Sequence, residues 1–319
     1  MKIFLRVTLL ASVALLAMAA DPALVNLIMP GAKVVSGLDV RSAKASPFGQ
    51  LLLRQMQKDE KSFQELLAAT GFDPRRDLHE LLFAAADPQV KGSGLVLASG
   101  NFDTVRIISA LRMQNAMVST YRGAELIRPQ AKPGASGVLA LVGGTLALAG
   151  EEMTVKAALD RRAGAAPQVD AGTAAKIQSL SARYDAWFFS TAPTVSMFGN
   201  LPKPPVGGGE KPEFNAIQGI QQTSGGVKLG SDIVLSGEAL TRSPQDATAV
   251  MNIIQFLAGM IQMNREKPGA SELAEIANTL KVEAKGNAVT LSLLVTSAQA
   301  EQWFQQLQQP KTQRKKASL

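Results

Sequence analysis

One recurring pattern most limits the folds open to this chain. Short apolar runs end at glycine-bearing turns, capped helices separate them, and the order repeats. Ala32–Val40 is rich in β-branched and apolar residues and reads as a strand. Ser46-Pro47 then opens a helix, because the serine oxygen caps and proline needs no donor at the first helical position. Phe48, Leu51, Leu52 and Met56 give that helix its inner stripe. A further short helix is expected from about Asp77, since Leu78, Leu81, Leu82 and Ala85 fall at helical spacing. Gly94–Phe102 reads as a strand, and Asp103 caps a helix over Thr104–Arg112. Its inner face is Val105, Ile108 and Leu111, or Ile107 and Leu111. A strand near Thr120–Ile127 and a hairpin over Val138–Ala149 follow, the latter turning at Gly143-Gly144 where positive φ is needed. Glu151-Glu152 opens a helix with Val155, Ala158 and Leu159 inward and Gly164 as its stop.

After the Ala/Gly/Pro-rich stretch 164–175 the scheme returns with wider spacing. Tyr184–Thr191 is a strand, and Val227–Leu240 is a bent strand or hairpin around Gly230-Ser231. Ser243-Pro244-Gln245-Asp246 is a capping box. Behind it Ala247, Val250, Met251, Ile254, Leu257 and Ile261 form the clearest helical stripe in the chain. Another helix starts at Ser271, Val282–Thr296 is a hairpin turning at Gly286-Asn287, and Ser297 caps a last helix with Ala300, Trp303, Phe304 and Leu307. The expected fold class is therefore α+β: two similar strand–helix–strand–hairpin–helix units, 20–165 and 166–309, with mainly antiparallel sheets and helices packed on one face. Segment 200–212, with four prolines and three successive glycines, is neither helix nor central strand and reads as a mobile insertion.

The ends carry different signals. Residues 1–19 read as a secretory signal peptide: Lys2 and Arg6 start it, Val7–Met18 is apolar, and Ala17-Met18-Ala19 is a small-x-small cleavage pattern. Cleavage is placed after Ala19, with Ala20 the alternative, and an uncleaved membrane anchor is the competing reading. The apolar run is shorter than the ~20 residues a spanning helix needs, and no later stretch reaches that length unbroken. Export makes the expected location the periplasm or the medium. The formal charge is +7. Removing Lys2 and Arg6 leaves 31 basic residues against 26 acidic ones. Four of those bases, Lys311, Arg314, Lys315 and Lys316, lie in the tail 310–319, which reads as disordered and suited to weak contact with anionic surfaces. The body is nearly neutral and only 5% aromatic, so nucleic acid is not an expected partner.

Composition also removes most catalytic chemistry. There is no cysteine and a single histidine, His79, which excludes thiolate nucleophiles, disulfide scaffolds and multi-histidine metal cages. No Gly-x-Ser-x-Gly elbow, phosphate-binding loop or dinucleotide fingerprint occurs. No catalytic, cofactor-binding or metal-ligating residue is nominated and no cofactor is expected. Arg75 and Arg76 are candidate anion or partner contacts, since arginine presents a planar fork to carboxylate or phosphate. Pairing with Asp73 and Asp77 is the plainer alternative. The tail cations Lys311, Arg314, Lys315 and Lys316 are candidates of the same kind.

Thr70-Gly71-Phe72-Asp73-Pro74-Arg75-Arg76-Asp77-Leu78, Ser99-Gly100-Asn101-Phe102-Asp103, Tyr121-Arg122-Gly123, and Leu141-Val142-Gly143-Gly144 leading into Val155-Lys156-Ala157-Ala158-Leu159-Asp160-Arg161 together resemble a group of uncharacterised exported bacterial proteins. The resemblance covers much of 32–162. It implies export and a repeated α/β architecture, and it implies no activity and no catalytic residue. The expected role is non-enzymatic binding of an envelope protein or polymer. The alternative is a carboxylate-based hydrolase of cell-wall or polysaccharide substrates.

Overall fold

The structure, a computed structural model, describes residues 20–50, 60–90, 92–130, 137–165, 168–192, 216–266 and 271–308. The expected signal peptide 1–19, the Pro/Gly-rich segment 200–212 and the tail 310–319 lie outside them, as do Leu51, Leu52 and Met56 of the helix expected from Ser46 and the side chains of Trp303, Phe304 and Leu307.

Among the described residues twelve strands form one continuous antiparallel sheet. They are β1 Val34–Asp39, β2 Leu78–Ala85, β3 Gly94–Gly100, β4 Met117–Tyr121, β5 Ala124–Arg128, β6 Gly137–Val142, β7 Leu146–Glu151, β8 Ala186–Ser190, β9 Ile220–Leu229, β10 Ile233–Thr241, β11 Lys281–Lys285 and β12 Ala288–Val295. Their order across the sheet is β11-β12-β10-β9-β8-β1-β2-β3-β7-β6-β5-β4. Each side of the β1–β8 junction starts as a three-strand meander. A helical segment then leads to returning strands, four on one side (β4–β7) and two on the other (β11 and β12), whose last strand pairs with the third, β7 on β3 and β12 on β10.

The helices are α1 Pro22–Val25, α2 Val40–Ala45, α3 Glu60–Thr70, α4 Pro74–Asp77, α5 Thr104–Met113, α6 Glu152–Arg162, α7 Ala171–Arg183, α8 Pro244–Met263, α9 Ser271–Ala277 and α10 Ser297–Gln308. The α+β class and the antiparallel pairing hold. The two expected sheets are joined into one, and apolar layers form on both of its faces. Alternation along β3 shows this: Leu95 and Leu97 enter the main core, while Ala98 enters a second core with Ile107 of α5.

The caps form as the sequence indicates. Ser46 Oγ accepts from the Gly49 N–H at 2.9 Å, Asp103 Oδ1 from Arg106 at 3.0 Å and Ser243 Oγ from Asp246 at 3.1 Å. Gly143 and Gly144 turn with φ of 56° and 73°.

Several local expectations are corrected. Residues from Leu78 are strand, and α4 stops at Asp77. β2 lies between β1 and β3 and is apolar toward both faces, so its continuous run imitates helical spacing. Met117–Arg128 is a hairpin rather than one strand, because Arg122 (φ 51°) and Gly123 (φ 76°) turn it. On α5 the buried residues are Ile107 and Ala110, and Val105 is exposed. The Ala/Gly-rich boundary holds α7, whose cap is Asp170 accepting from the Thr173 N–H at 2.8 Å. At α10 the preceding Thr296 provides the cap, its hydroxyl accepting from the Gln299 N–H at 3.3 Å.

The main core joins residues 20–32, the first meander, α6, α7 and β8. Leu24, Leu27 and Ile28 are wholly buried within it. The buried Arg161 of α6 donates Nε and Nη2 to the Leu27 carbonyl at 3.1 and 2.9 Å, which ties that N-terminal strut down. At the central junction Trp187 of β8 lies on Gly37 of β1, where a Cβ would come within 2.5 Å of the indole. Beside it the buried Asp185 carboxylate accepts from Ser42 Oγ (2.6 Å), Lys228 Nζ (2.7 Å) and the Leu229 N–H (2.6 Å). Burial pushes its pKa up, but these hydrogen bonds outweigh burial and hold the carboxyl below its ordinary range.

Candidate functional site

The face of the sheet under α8 is shaped by glycine. Cross-strand pairing sets Phe188, Gly225, Gly237 and Leu291 in one row over β8, β9, β10 and β12. The two middle positions carry no side chain, so the row is a trough walled by a phenyl ring and a leucine. At Gly225 the gap is enforced by backbone. A Cβ on Gly225 would sit 2.4 Å from the Ser236 carbonyl oxygen, and one on Gly237 would sit 3.2 Å from Leu291. The next row is Thr223, Ala239 and Val289, again mostly small.

Over this trough runs α8, started by the Ser243 cap with Pro244 at its first position. Val250, Ile253, Ile254 and Leu257 face the sheet across a cleft of about 560 Å³. That volume is in the range of small-molecule sites. Of twenty helical residues only Ala247 and Val250 are buried. The predicted stripe is correct at its start and loses its cover toward Ile261, while Phe256 and Met263 are exposed outright. Charge is nearly absent from the cleft. Its one ionisable lining residue, Glu238, pairs with Lys176 of α7 at 3.0 Å. A site of this kind holds apolar material by excluding water from it.

Polar chemistry collects elsewhere. A pocket of about 410 Å³ is lined by Asp21, Arg41, His79, Asn101 and Arg162, and another of about 370 Å³ by Arg76, Asp77, Asp103 and Arg106. His79 is on β2 rather than a helix. Among the described residues no three side chains of metal-ligating type converge. Arg75 and Arg76 are engaged within the chain. Arg75 grips Asp73 with Nε and Nη2, both at 3.0 Å, and Arg76 grips Asp77 at 2.6 and 2.8 Å. Each guanidinium keeps its carboxyl below the ordinary range. The four tail cations lie outside the described residues.

No family model matches the chain, and no curated protein sequence matches it. Its fold is similar to that of solved structures of TP0453. Crystal form III aligns with a TM-score of 0.52 and 8% identity, over 89% of this chain and 97% of that one. Crystal form IV aligns with a TM-score of 0.51 and 10% identity, over 90% and 96%. The likeness is one of fold. Among the described residues no helix is long and apolar enough to cross a membrane.

Proposed function

We propose that this is an exported bacterial envelope protein that works by binding, and that its ligand is the hydrocarbon part of a lipid-like molecule held between α8 and the glycine trough. The observation that carries the reading is the unfinished seat of α8, twenty residues long with two buried, over a face that lacks side chains at Gly225, where a Cβ would strike the backbone, and at Gly237. An apolar surface of this extent exposed to water costs free energy that a hydrocarbon ligand would recover, at about 25 cal/mol per Å² covered.

The basic start, apolar run and Ala17-Met18-Ala19 pattern support export. An apolar run shorter than the ~20 residues a spanning helix needs supports cleavage over a retained anchor. The three-strand meander that opens each side of the β1–β8 junction, and the return of each side's last strand to its third, support descent from a duplicated unit, with β4 and β5 extra on one side.

The test is titration of the exported protein with a fluorescent fatty acid. Saturable binding is expected, and Ile254→Glu, which sets a charge on the cleft wall, is expected to abolish it. Absence of saturation, or equal binding by the Ile254→Glu protein with its fold intact, would falsify the reading.

A further inference from the structure

Glu80 is a carboxylate set inside the fold with no ion-pair partner among the described residues. It lies on β2, in the middle of the first meander, opposite Asp39 of β1 and Ser99 of β3, and it is 7% exposed. Among the described residues no cation stands within ion-pair distance of it. Its recorded hydrogen bond comes from the chain's own start: Glu80 Oε2 accepts from the Asp21 N–H at 3.0 Å. One residue earlier the Ala20 N–H, itself buried, donates to Ser181 Oγ of α7 at 2.8 Å. That hydroxyl passes its proton on to the Ile177 carbonyl at 2.8 Å, so its oxygen stays open as an acceptor. Glu80 and Ser181 thus form an acceptor nest around the nitrogens of residues 20 and 21.

A lone buried carboxylate is an unfavourable thing to build, and such groups are normally paired. We infer that Glu80 and Ser181 are the receptor for the α-ammonium released when the leader is removed. The inference rests on the export and cleavage reading above. Water, delivered by the host's signal peptidase, hydrolyses the Ala19–Ala20 bond and leaves a carboxylate on Ala19 and an ammonium on Ala20. The ammonium stands on Ser181 Oγ, one residue, about 3.8 Å of chain, from the nitrogen that Glu80 holds. Cleavage after Ala20 instead would place the charge on the Asp21 nitrogen, already at 3.0 Å from Glu80. The second register sets the cation directly on the carboxylate, and the first sets it one residue away on Ser181.

With an uncharged amide at this point, burial drives the Glu80 pKa up to about 7. The other charges acting on it are Asp21 and Asp39, which raise it, and Arg41 of α2, which lowers it. An acid raised in the folded state contributes least at high pH, because the unfolded chain ionises first. In a chain still carrying residues 1–19, Glu80→Gln is therefore neutral or stabilising at pH 8. In the processed chain the same change removes one half of an ion pair and destabilises. The predicted effect of one isosteric substitution reverses in sign with the state of the N-terminus.

The experiment uses the exported protein and the full-length chain made by cell-free synthesis, each with Glu80 or Glu80→Gln, under urea at pH 8. Glu80→Gln is expected to lower the folding equilibrium of the exported form about tenfold, and not to lower that of the full-length form. N-terminal sequencing and acylation of the exported protein accompany it. At pH 8 the Ala20 amine is expected to acylate about fivefold more slowly than in the Glu80→Gln protein, as a pKa raised by one unit from the ordinary α-amine value would give. Ser181→Ala, which leaves Glu80 in place, is expected to speed acylation as well. An exported chain that keeps residues 1–19 sinks both the processing reading and the pairing. A chain that starts at Ala20 or Asp21 but shows the same Glu80→Gln effect as the full-length form, with an amine indifferent to both substitutions, sinks the pairing alone.

Discussion

The two sides of the sheet are built from the same kinds of strand and are finished differently. On the side that carries β2 to β7, residues 20–32 and helices α6 and α7 close over one face in a single apolar cluster, with Leu82, Leu95, Leu97 and Leu148 at most 1% exposed. On the side that carries β9 to β12, the apolar contacts break into two small clusters, one formed by the start of α8 around Val250 and one around Ile276, and a cleft opens between α8 and the sheet. The difference does not come from hydrophobicity. The sequence of α8 is among the most apolar helical stretches of the chain, yet its partner face presents Gly225 and Gly237 where side chains would fill the gap. A core needs complementary volume as well as apolar character. One side therefore supplies the stability, and the other keeps an apolar surface available.

Substitutions can break or sharpen this contrast. Leu97→Ala, in the closed core, is expected to cost about 3 kcal/mol by urea denaturation, as cavity-forming changes do. If Leu97→Ala proves no worse than a cleft substitution, the contrast fails. At the junction, Asp185→Ala is expected to cost about 2 kcal/mol, because Lys228, Ser42 and the Leu229 N–H lose their acceptor. The pH dependence has a definite sign. The native Asp185 carboxyl ionises below its unfolded value, so its stabilisation is complete above the ordinary carboxylate range and is lost as the pH falls through the native pKa. Asp185→Asn should flatten that part of the acid limb.

Smaller effects belong to the open side. Leu257→Ala is expected to cost less than about 1 kcal/mol while weakening fatty-acid binding, since the side chain is half-exposed at the cleft. Amides of residues 253–263 should exchange hydrogen faster than those of β3 and β7, and bound fatty acid should slow them. Smallest of all is Val105→Ser on the exposed face of α5, expected within about 0.5 kcal/mol of the parent.

Much of the fold is legible because caps and glycine turns act locally. Asp103, Ser243 and the Gly143-Gly144 pair each announce an element boundary through a hydrogen bond or a positive φ that near neighbours determine. Leu78–Ala85 misleads because an interior strand has no polar face, and period alone does not separate it from a helix. The hairpin at Arg122-Gly123 hides because arginine, with its φ of 51°, is a rare occupant of that turn. Helix α7 hides behind small residues, although Asp170 ahead of Thr173 was a readable cap. The candidate cleft is beyond local reading altogether. It depends on Phe188, Gly225, Gly237 and Leu291 falling in register across strands more than a hundred residues apart in the chain. The Glu80 nest likewise joins residues 20, 80 and 181.

The pairing of β1 with β8 places Val34 opposite Ser190 and so fixes a timetable for assembly. A nascent polypeptide delivered from its amino end holds its first strand and the strut at Leu24–Ile28 long before Trp187 or α7 exists to cover them. Loop closure over such separations is slow, and unpaired strands are prone to stick to one another in the interval. Chaperone dependence early in synthesis, relieved once about residue 190 has emerged, is the kinetic signature this topology imposes.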